Sequence, residues 1–262
     1  MMSQEISEEA ILSVRNLTVN RSGKEVLDSI SLDINRGEFV GLVGPNGGGK
    51  TTLLLTILGI LKPMNGSVTV FGDEPASKKN IGKVGWVPQA ATKLPNSVHI
   101  TVRELIRLGT LNHQNYLWGF MNSEMKKRVE LSLEMTGLTE MADIDVSRLS
   151  GGQFQRAVIG RALASDTEFI LLDEPLVGVD RASRNSLLKL LDDLCHDFGK
   201  TILMVSHDLS AVIQTTHRIV FLEEGIQFDG SPENLPDHSQ LANLRGIEHT
   251  HSERSGVLYE VE

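Results

Sequence analysis

The feature that most limits what this chain can fold into is a glycine-rich stretch at residues 44–51. It reads Gly44-Pro-Asn-Gly-Gly-Gly49-Lys50-Thr51 and fits G-x-x-x-x-G-K-[ST], between an apolar run, Phe39–Val43, and an apolar helical pattern, Thr51–Leu61. Glycines let successive backbone N–H groups converge on an anion, and a helix beginning near Lys50 adds its positive end. The pattern therefore predicts a phosphate-binding loop between a strand and a helix.

Two side chains at the end of this loop can complete a nucleotide site. Lys50 can place its ammonium between the β- and γ-phosphates, and the Thr51 hydroxyl can ligate Mg²⁺. The candidate nucleotide-binding residues of the segment are Gly44, Pro45, Asn46, Gly47, Gly48, Gly49, Lys50, Thr51 and Thr52.

An apolar strand that ends in two acids predicts the metal ligand and the base. The strand reads Phe169-Ile-Leu-Leu-Asp173-Glu174. Asp173, at the tip of a buried strand, is well placed to hold Mg²⁺ directly or through water. Glu174 can orient an attacking water or accept its proton. Acids that simply face solvent would give the same local pattern, but a phosphate loop upstream favours catalysis.

Composition narrows the class of partner. The formal net charge is −9 and no long Lys/Arg stripe is visible, which argues against nucleic acid as the main partner. The one cysteine, Cys195, permits no internal disulfide and fits a reducing compartment. The longest apolar stretch, Leu53–Leu61, is too short to span a bilayer, so a membrane role requires a spanning partner.

The order of the predicted elements indicates an α/β fold. Predicted strands Ile11–Val19 and Val26–Ile34 precede the phosphate loop, and strands and helices alternate again from Phe169 onward. We expect a P-loop NTPase core with a parallel sheet, an N-terminal antiparallel β subdomain and an inserted helical subdomain at about residues 89–166. The domain is expected to cover residues 11–236, followed by a polar tail at 237–262.

Four further motifs make the chain resemble the ATP-binding-cassette ATPases. They are Gln89 closing Val84-Gly-Trp-Val-Pro-Gln (Q-loop), Leu149-Ser150-Gly151-Gly152-Gln153 (signature), Gly178-Val179-Asp180 (D-loop) and His207 in Val205-Ser-His-Asp (switch). They occur in the family's order around the two acids, and the resemblance covers the chain to about Pro232. It implies ATP hydrolysis with ATP and Mg²⁺ as cofactors.

The resemblance also implies roles for individual residues in a homodimer. Each ATP would be held by the Gly44–Thr51 loop of one copy and the Ser150–Gln153 segment of the other, with Asp180 beside them. Ser150 can cap a helix whose start, with Gly151 and Gly152, forms a second anion site. The implied catalytic residues are Glu174, His207 and Gln89, and the implied Mg²⁺ ligands are Thr51, Gln89 and Asp173.

Gly178-Val179-Asp180, Gly48 and Leu94-Pro95 make the chain similar to subunits of zinc, manganese and iron importers. This implies a cytoplasmic protein, peripheral on the inner face of the membrane, that binds integral membrane permease subunits and serves an extracytoplasmic solute-binding protein indirectly. Leu94–Leu108 then either forms a groove for a permease helix or packs internally. The alternative, a soluble cassette ATPase acting on ribosomes or nucleic acid, fits less well because no second cassette and no long heptad run are present.

One position departs from the family pattern. The family places an aromatic residue that stacks on adenine in the turn before Val26, where this chain has Val19-Asn-Arg-Ser-Gly. Arg21 can lie flat on the base instead. It can equally be a solvated surface side chain. The sequence leaves both interpretations open.

Overall fold

The computed structural model describes residues 10–89, 99–111 and 123–236. Within these ranges the chain forms two sheets and six α-helices. The strands are β1 (Ala10–Arg21), β2 (Lys24–Asn35), β3 (Phe39–Val43), β4 (Asn65–Val70), β5 (Val84–Val87), β6 (Phe169–Asp173), β7 (Thr201–Val205), β8 (Arg218–Glu223) and β9 (Gly225–Gly230). The helices are α1 (Lys50–Ile57), α2 (Val102–Arg107), α3 (Ser123–Met135), α4 (Gly151–Leu163), α5 (Arg181–His196) and α6 (Leu209–Thr215).

The N-terminal strands form an antiparallel sheet in the order β2-β1-β4. In β2, Ile30, Leu32 and Ile34 are buried while Ser31 is exposed, which is the period-two alternation of a strand with one solvated face. The buried face belongs to the same apolar cluster as the inner residues of α1. The predicted N-terminal antiparallel β subdomain is therefore confirmed.

The larger sheet has the order β5-β6-β7-β3-β8-β9 and is parallel except for the β8–β9 pair. Every residue of β3, β6 and β7 is buried, as expected for strands covered on both faces. Because parallel strands end at the same edge of a sheet, the segments after β3, β6 and β7 meet there. Strand β9 has no signal in the sequence, because its residues are partly buried or exposed and show no apolar run.

The three helices that come between β5 and β6 along the chain share one apolar cluster. It includes Val102 and Ile106 from α2, Leu133 from α3 and Val158 from α4. The helix starts of α2 and α4 each carry a capping box, formed by Thr101 with Glu104 and by Ser150 with Gln153. The α/β fold with helices added to a P-loop core is thus confirmed.

Two local predictions are refined by the structure. Helix α1 ends at Ile57, four residues before the predicted end, because Gly59 takes a left-handed φ of 71° just beyond it. Val102 is completely buried, so internal packing rather than a groove explains this residue. The rest of the predicted groove lies partly outside the described residues, since 90–98 is not among them.

The predicted limits of the domain, 11–236, and of the helical insertion, 89–166, stay predictions. The predicted polar tail, 237–262, lies outside the described residues. Within the described ranges, every helix is too short or too polar to cross a bilayer.

Candidate functional site

The predicted phosphate loop, both acids and Gln89 surround one cleft of about 400 Å³. The cleft lies where β3, β6 and β7 end. Its lining residues are Arg21, Val26, Asn46, Gly47, Gly49, Lys50, Thr51, Thr52, Gln89, Asp173, Glu174 and Val205. Gly44, Pro45 and Gly48 belong to the same loop without lining the cleft. Residues predicted from separate parts of the sequence therefore meet at one site.

The loop conformation requires glycine at its two ends. Gly44 has φ 151°, and a Cβ there would lie 2.0 Å from the Leu222 carbonyl oxygen. Gly49 has φ 95°, and a Cβ there would lie 2.4 Å from the Leu27 side chain. Gly49 is also the N-cap of α1, and it has no side chain to cap the first N–H groups of that helix. These donors are available to an anion.

The Lys50 ammonium is folded back over the loop. Nζ donates to the carbonyl oxygens of Gly44 and Pro45, each at 2.8 Å. Burial lowers the pKa of Lys50, while the nearby carboxylates of Glu174 and Asp173 oppose that shift. Both bonds are to neutral carbonyls, which an anionic oxygen can replace with stronger charge-assisted bonds.

Thr51 and Asp173 form a pair of oxygen donors at the floor of the cleft. Thr51 Oγ1 donates to Asp173 Oδ2 at 3.3 Å. Asp173 is only 4% exposed, and its Oδ1 has no hydrogen-bond partner among the described residues. Burial raises the pKa of Asp173, partly offset by the bond from Thr51. A buried carboxylate oxygen without a partner beside a hydroxyl fits a hard divalent cation such as Mg²⁺.

Glu174 and His207 are joined through both the ring and the main chain of the histidine. His207 Nδ1 lies 2.7 Å from Glu174 Oε2, and the His207 backbone N–H donates to the same oxygen at 3.3 Å. Glu174 has a left-handed φ of 53° and is buried, whereas the His207 side chain is 63% exposed. His207 does not line the cleft itself, and it contacts the cleft through Glu174.

The predicted second anion site lies away from this cleft. Ser150 Oγ accepts from Gln153 N, and the Gln153 side chain accepts from Ser150 N, so the pair caps α4. Gly152 packs so tightly that a Cβ would lie 2.5 Å from Ser183 Cβ, at the start of α5. Asp180 caps α5 by accepting from Ala182 and Ser183 N–H groups. Of Ser150, Gly151, Gly152, Gln153 and Asp180, none lines the cleft.

The chain matches a known family over most of the segment that builds this site. The family model described as ABC transporter matches residues 27–177. The zinc uptake system ATP-binding protein ZurA of Listeria innocua is 36% identical over 221 residues, covering 84% of this chain and 86% of the relative. The chain belongs to the ABC transporter ATP-binding family. It is an ATP-binding subunit, and its activity is ATP hydrolysis.

Solved structures agree with this assignment. CbiO1 from Clostridium perfringens, part of the ABC transporter complex CbiONQ, is 28% identical with a TM-score of 0.77, covering 92% of this ABC ATPase and 96% of that chain. A dimeric ATP-binding cassette, solved in a post-hydrolysis state with ADP and Pi, is also 28% identical, with a TM-score of 0.68 over 86% of this chain and 100% of that one. The predicted family, fold and nucleotide binding are confirmed, whereas the individual residue roles stay predictions.

Three residues of this ABC ATPase site were not selected from the sequence. Val26 and Val205 line the cleft, but apolar strand residues carry no chemical signal. Arg184 forms an ion pair with Asp208, next to His207, and its Nε donates to the Val179 carbonyl oxygen. A cation four residues after Asp180 is a common helix surface pattern, so only the tertiary contact reveals its connection to the site.

Proposed function

We propose that this ABC ATPase drives import of zinc or a related divalent metal ion through membrane permease subunits. The observation that supports the proposal most directly is that relatives of this chain are named as zinc uptake proteins. ZurA of Listeria innocua and the high-affinity zinc uptake system protein ZnuC of Bacillus subtilis are both 36% identical to it, over 84% and 82% of the chain. The alternative, a soluble cassette ATPase on ribosomes or nucleic acid, finds no comparable support.

The phosphates would bind where the loop and α1 present their N–H groups. The Lys50 ammonium would exchange the carbonyls of Gly44 and Pro45 for oxygens of the β- and γ-phosphates, which carry full charge. Thr51, Asp173 and Gln89 would hold Mg²⁺, which neutralises charge on the phosphate oxygens when bound. The partnerless Asp173 Oδ1 supports this assignment.

Glu174 would orient the attacking water and accept its proton while the bond from the γ-phosphorus to the bridging oxygen breaks. Its carboxylate can do so because His207 occupies only Oε2, leaving Oε1 for the water. If Oε2 accepts from His207 Nδ1–H, the ring donates to a γ-phosphate oxygen only when Nε2 also carries a proton, because an unprotonated Nε2 is an acceptor. The histidine would thereby position the base, and its imidazolium form would also steady the developing charge.

Hydrolysis would take place between two copies of the chain. In a single copy the Ser150–Gln153 segment and Asp180 lie outside the cleft. These residues can therefore contact a phosphate bound in the cleft only if they come from a second copy. Closing two copies face to face would enclose two nucleotides, one at each cleft. A dimeric relative that contains ADP and Pi supports this arrangement.

A role in metal-ion import determines where the protein would act and what it would bind. The dimer would act at the inner face of the membrane, bound to permease subunits, while an extracytoplasmic solute-binding protein selects the metal ion. No nucleic-acid partner is part of this proposal. Gln89 would relay the nucleotide state to the helices α2, α3 and α4, because it lines the cleft and lies at the predicted start of the insertion.

Deletion of the gene, followed by growth under zinc chelation, tests the transport role. We expect a growth defect that added zinc or the intact gene relieves, and that a Lys50→Ala copy leaves unrelieved. The intact protein should also co-purify with a multi-spanning membrane protein. Normal zinc uptake in the deletion strain, or co-sedimentation with ribosomes in place of membranes, would contradict the proposal.

A further inference from the structure

We propose that Arg156 is a positioning residue, which holds the start of α4 against the start of α5 so that the Ser150–Gln153 segment is correctly placed to meet a second copy. The inference rests on the proposed function, because it concerns the face that the two copies would share. Arg156 lies in the second turn of α4, and it is not among the residues that line the cleft. Any effect of Arg156 on turnover must therefore act through other residues.

The Arg156 guanidinium joins the helices on either side of α4. Nη1 donates to the Thr136 carbonyl oxygen at 2.9 Å, just beyond the last residue of α3. Nη2 donates to the Ser186 carbonyl oxygen of α5 at 2.7 Å and also to the Ser186 hydroxyl. The last carbonyl groups of a helix have no partner within it, so the first bond satisfies a free acceptor. Because the guanidinium is a planar fork, it makes both contacts at once and fixes α3 and α5 relative to α4.

Helix α4 meets α5 at a second point, closer to its start. A Cβ on Gly152 would lie only 2.5 Å from Ser183 Cβ, so the two helices are in close contact there. Gly152 and Arg156 are four residues apart and share one face of α4, and Ser183 and Ser186 are three residues apart on one face of α5. Two contacts that are one turn apart set both the distance and the angle between the two helices.

The start of α5 is packed against the start of α4 and the segment before it. A Cβ on Gly151 would lie 2.8 Å from the Gly178 carbonyl oxygen. Asp180 caps α5 by accepting from the Ser183 N–H group. The Ser150–Gln153 segment and Asp180, which would both face the second copy, therefore belong to one packed unit. A tilt of α4 on α5 would displace one relative to the other, and the arginine one turn further along α4 opposes that tilt.

The charge of Arg156 has an unusual environment for a contact between helices. Within the described residues, its hydrogen bonds all go to neutral oxygens. Burial lowers the pKa of Arg156, and the nearby charge of Asp193 opposes that shift. By contrast, Arg128 of α3 contacts the carboxylates of Glu124 and Asp166. Partial burial of a charge is costly where apolar packing would suffice, so an arginine at this contact fits a role in directional placement.

Dimerisation and nucleotide binding can be measured separately in the full chain. In a Glu174→Gln parent, light scattering with MgATP over a range of protein concentrations gives the dissociation constant of the dimer. Titration of dilute protein with MgATP gives the affinity of a single copy. Arg156→Met should weaken the dimer about tenfold, as expected for loss of one charge-assisted hydrogen bond, and change the single-copy affinity less than about threefold. With Glu174 intact, turnover lost at low protein concentration should return at high concentration, because the defect lies in association.

Two further variants exclude a general loosening of the helices. Arg156→Lys keeps the charge but loses the fork, so its dimer should be weaker than that of the parent and tighter than that of Arg156→Met. Arg128→Met removes an arginine that joins α3 to the turn after α4, and it should leave the dimer unchanged.

The possible failures are distinguishable. A dimer of Arg156→Met as tight as that of the parent, or equal weakening by Arg128→Met, would overturn the inference. If Arg156→Met does not fold, Arg156→Lys decides in the same way. A Glu174→Gln parent that binds MgATP and stays a single copy would overturn the proposed dimer, and this inference with it.

Discussion

Arg184 and Asp208 form an ion pair that joins the first turn of α5 to the N-cap of α6, with 2.9 Å between Arg184 Nη1 and Asp208 Oδ2. Arg184 Nε also donates to the Val179 carbonyl oxygen at 3.3 Å, and Asp208 Oδ1 caps α6 by accepting from Ala211 N. The pair therefore fixes the segment that carries His207 relative to the segment that precedes Asp180. Both side chains are partly exposed, so its contribution to stability is small, below about 1 kcal/mol.

We expect this pair to affect turnover more than folding. Arg184→Met and Asp208→Asn should each lower kcat about three- to tenfold with little change in the KM for ATP, because His207 loses its anchor. Asp208→Asn keeps an oxygen that can cap α6. The double variant should be no slower than the worse single one. Lys189→Met, on the same helix, is the control, and additive losses would show that the two residues act separately.

Glu174→Gln should bind ATP and stop hydrolysing it. The amide keeps the size of the side chain but cannot take a proton, so kcat should fall by about 100-fold or more. If the Ser150 segment of a second copy completes the cleft, this variant should accumulate as a closed dimer with ATP and Mg²⁺, seen by light scattering. Normal hydrolysis by the variant would refute the role assigned to Glu174.

Ser150→Ala separates capping from the proposed role at the dimer face. Removing the cap should cost about 1 kcal/mol of unfolding free energy, measured by chemical denaturation. It should also weaken ATP-dependent dimerisation, because the start of α4 would lose order where it meets the phosphate. Thr101→Ala removes the equivalent capping box from α2 and is the matched control. Equal dimerisation by both variants would argue against a phosphate contact by this segment.

Asp173→Asn should stabilise the nucleotide-free protein. Burial raises the pKa of Asp173, so the folded state disfavours the ionised carboxylate. This free-energy cost of ionising Asp173 in the folded state is absent below the ordinary aspartate pKa. It grows as pH rises through the raised pKa of the folded state, and it is full at neutral pH. In chelator without nucleotide, the melting temperature of the variant should exceed that of the wild type at pH 7, and the gain should vanish in acid.

Asp180→Asn is the control of opposite sign. Hydrogen bonds from Ser183 lower the pKa of Asp180, so its ionised form favours folding at neutral pH. This variant should gain nothing at pH 7. A gain of the same size in both variants would mean that burial of the Asp173 charge is not the cause.

The parts of this protein that short segments specify could be predicted from the sequence alone. Residues 44–51 contain both the glycines whose positive φ the loop requires and the lysine that it positions, so the local backbone path of the loop follows from contiguous residues. The positions of the two acids at the end of β6 and of the helix cap at Ser150 also follow from the residues next to them in the sequence. Alternating burial in β2 likewise follows from its own side chains.

Only the tertiary structure decided how these segments meet. The order of β6, β7 and β3 brings together residues more than 100 positions apart, and Thr51 reaches Asp173 for that reason. The contact of Glu174 with His207, the pairing of Arg184 with Asp208 and the placement of Arg21 beside the cleft depend on the same packing. Strand order depends on which buried faces fit together across the whole chain, and no short stretch of sequence contains that information.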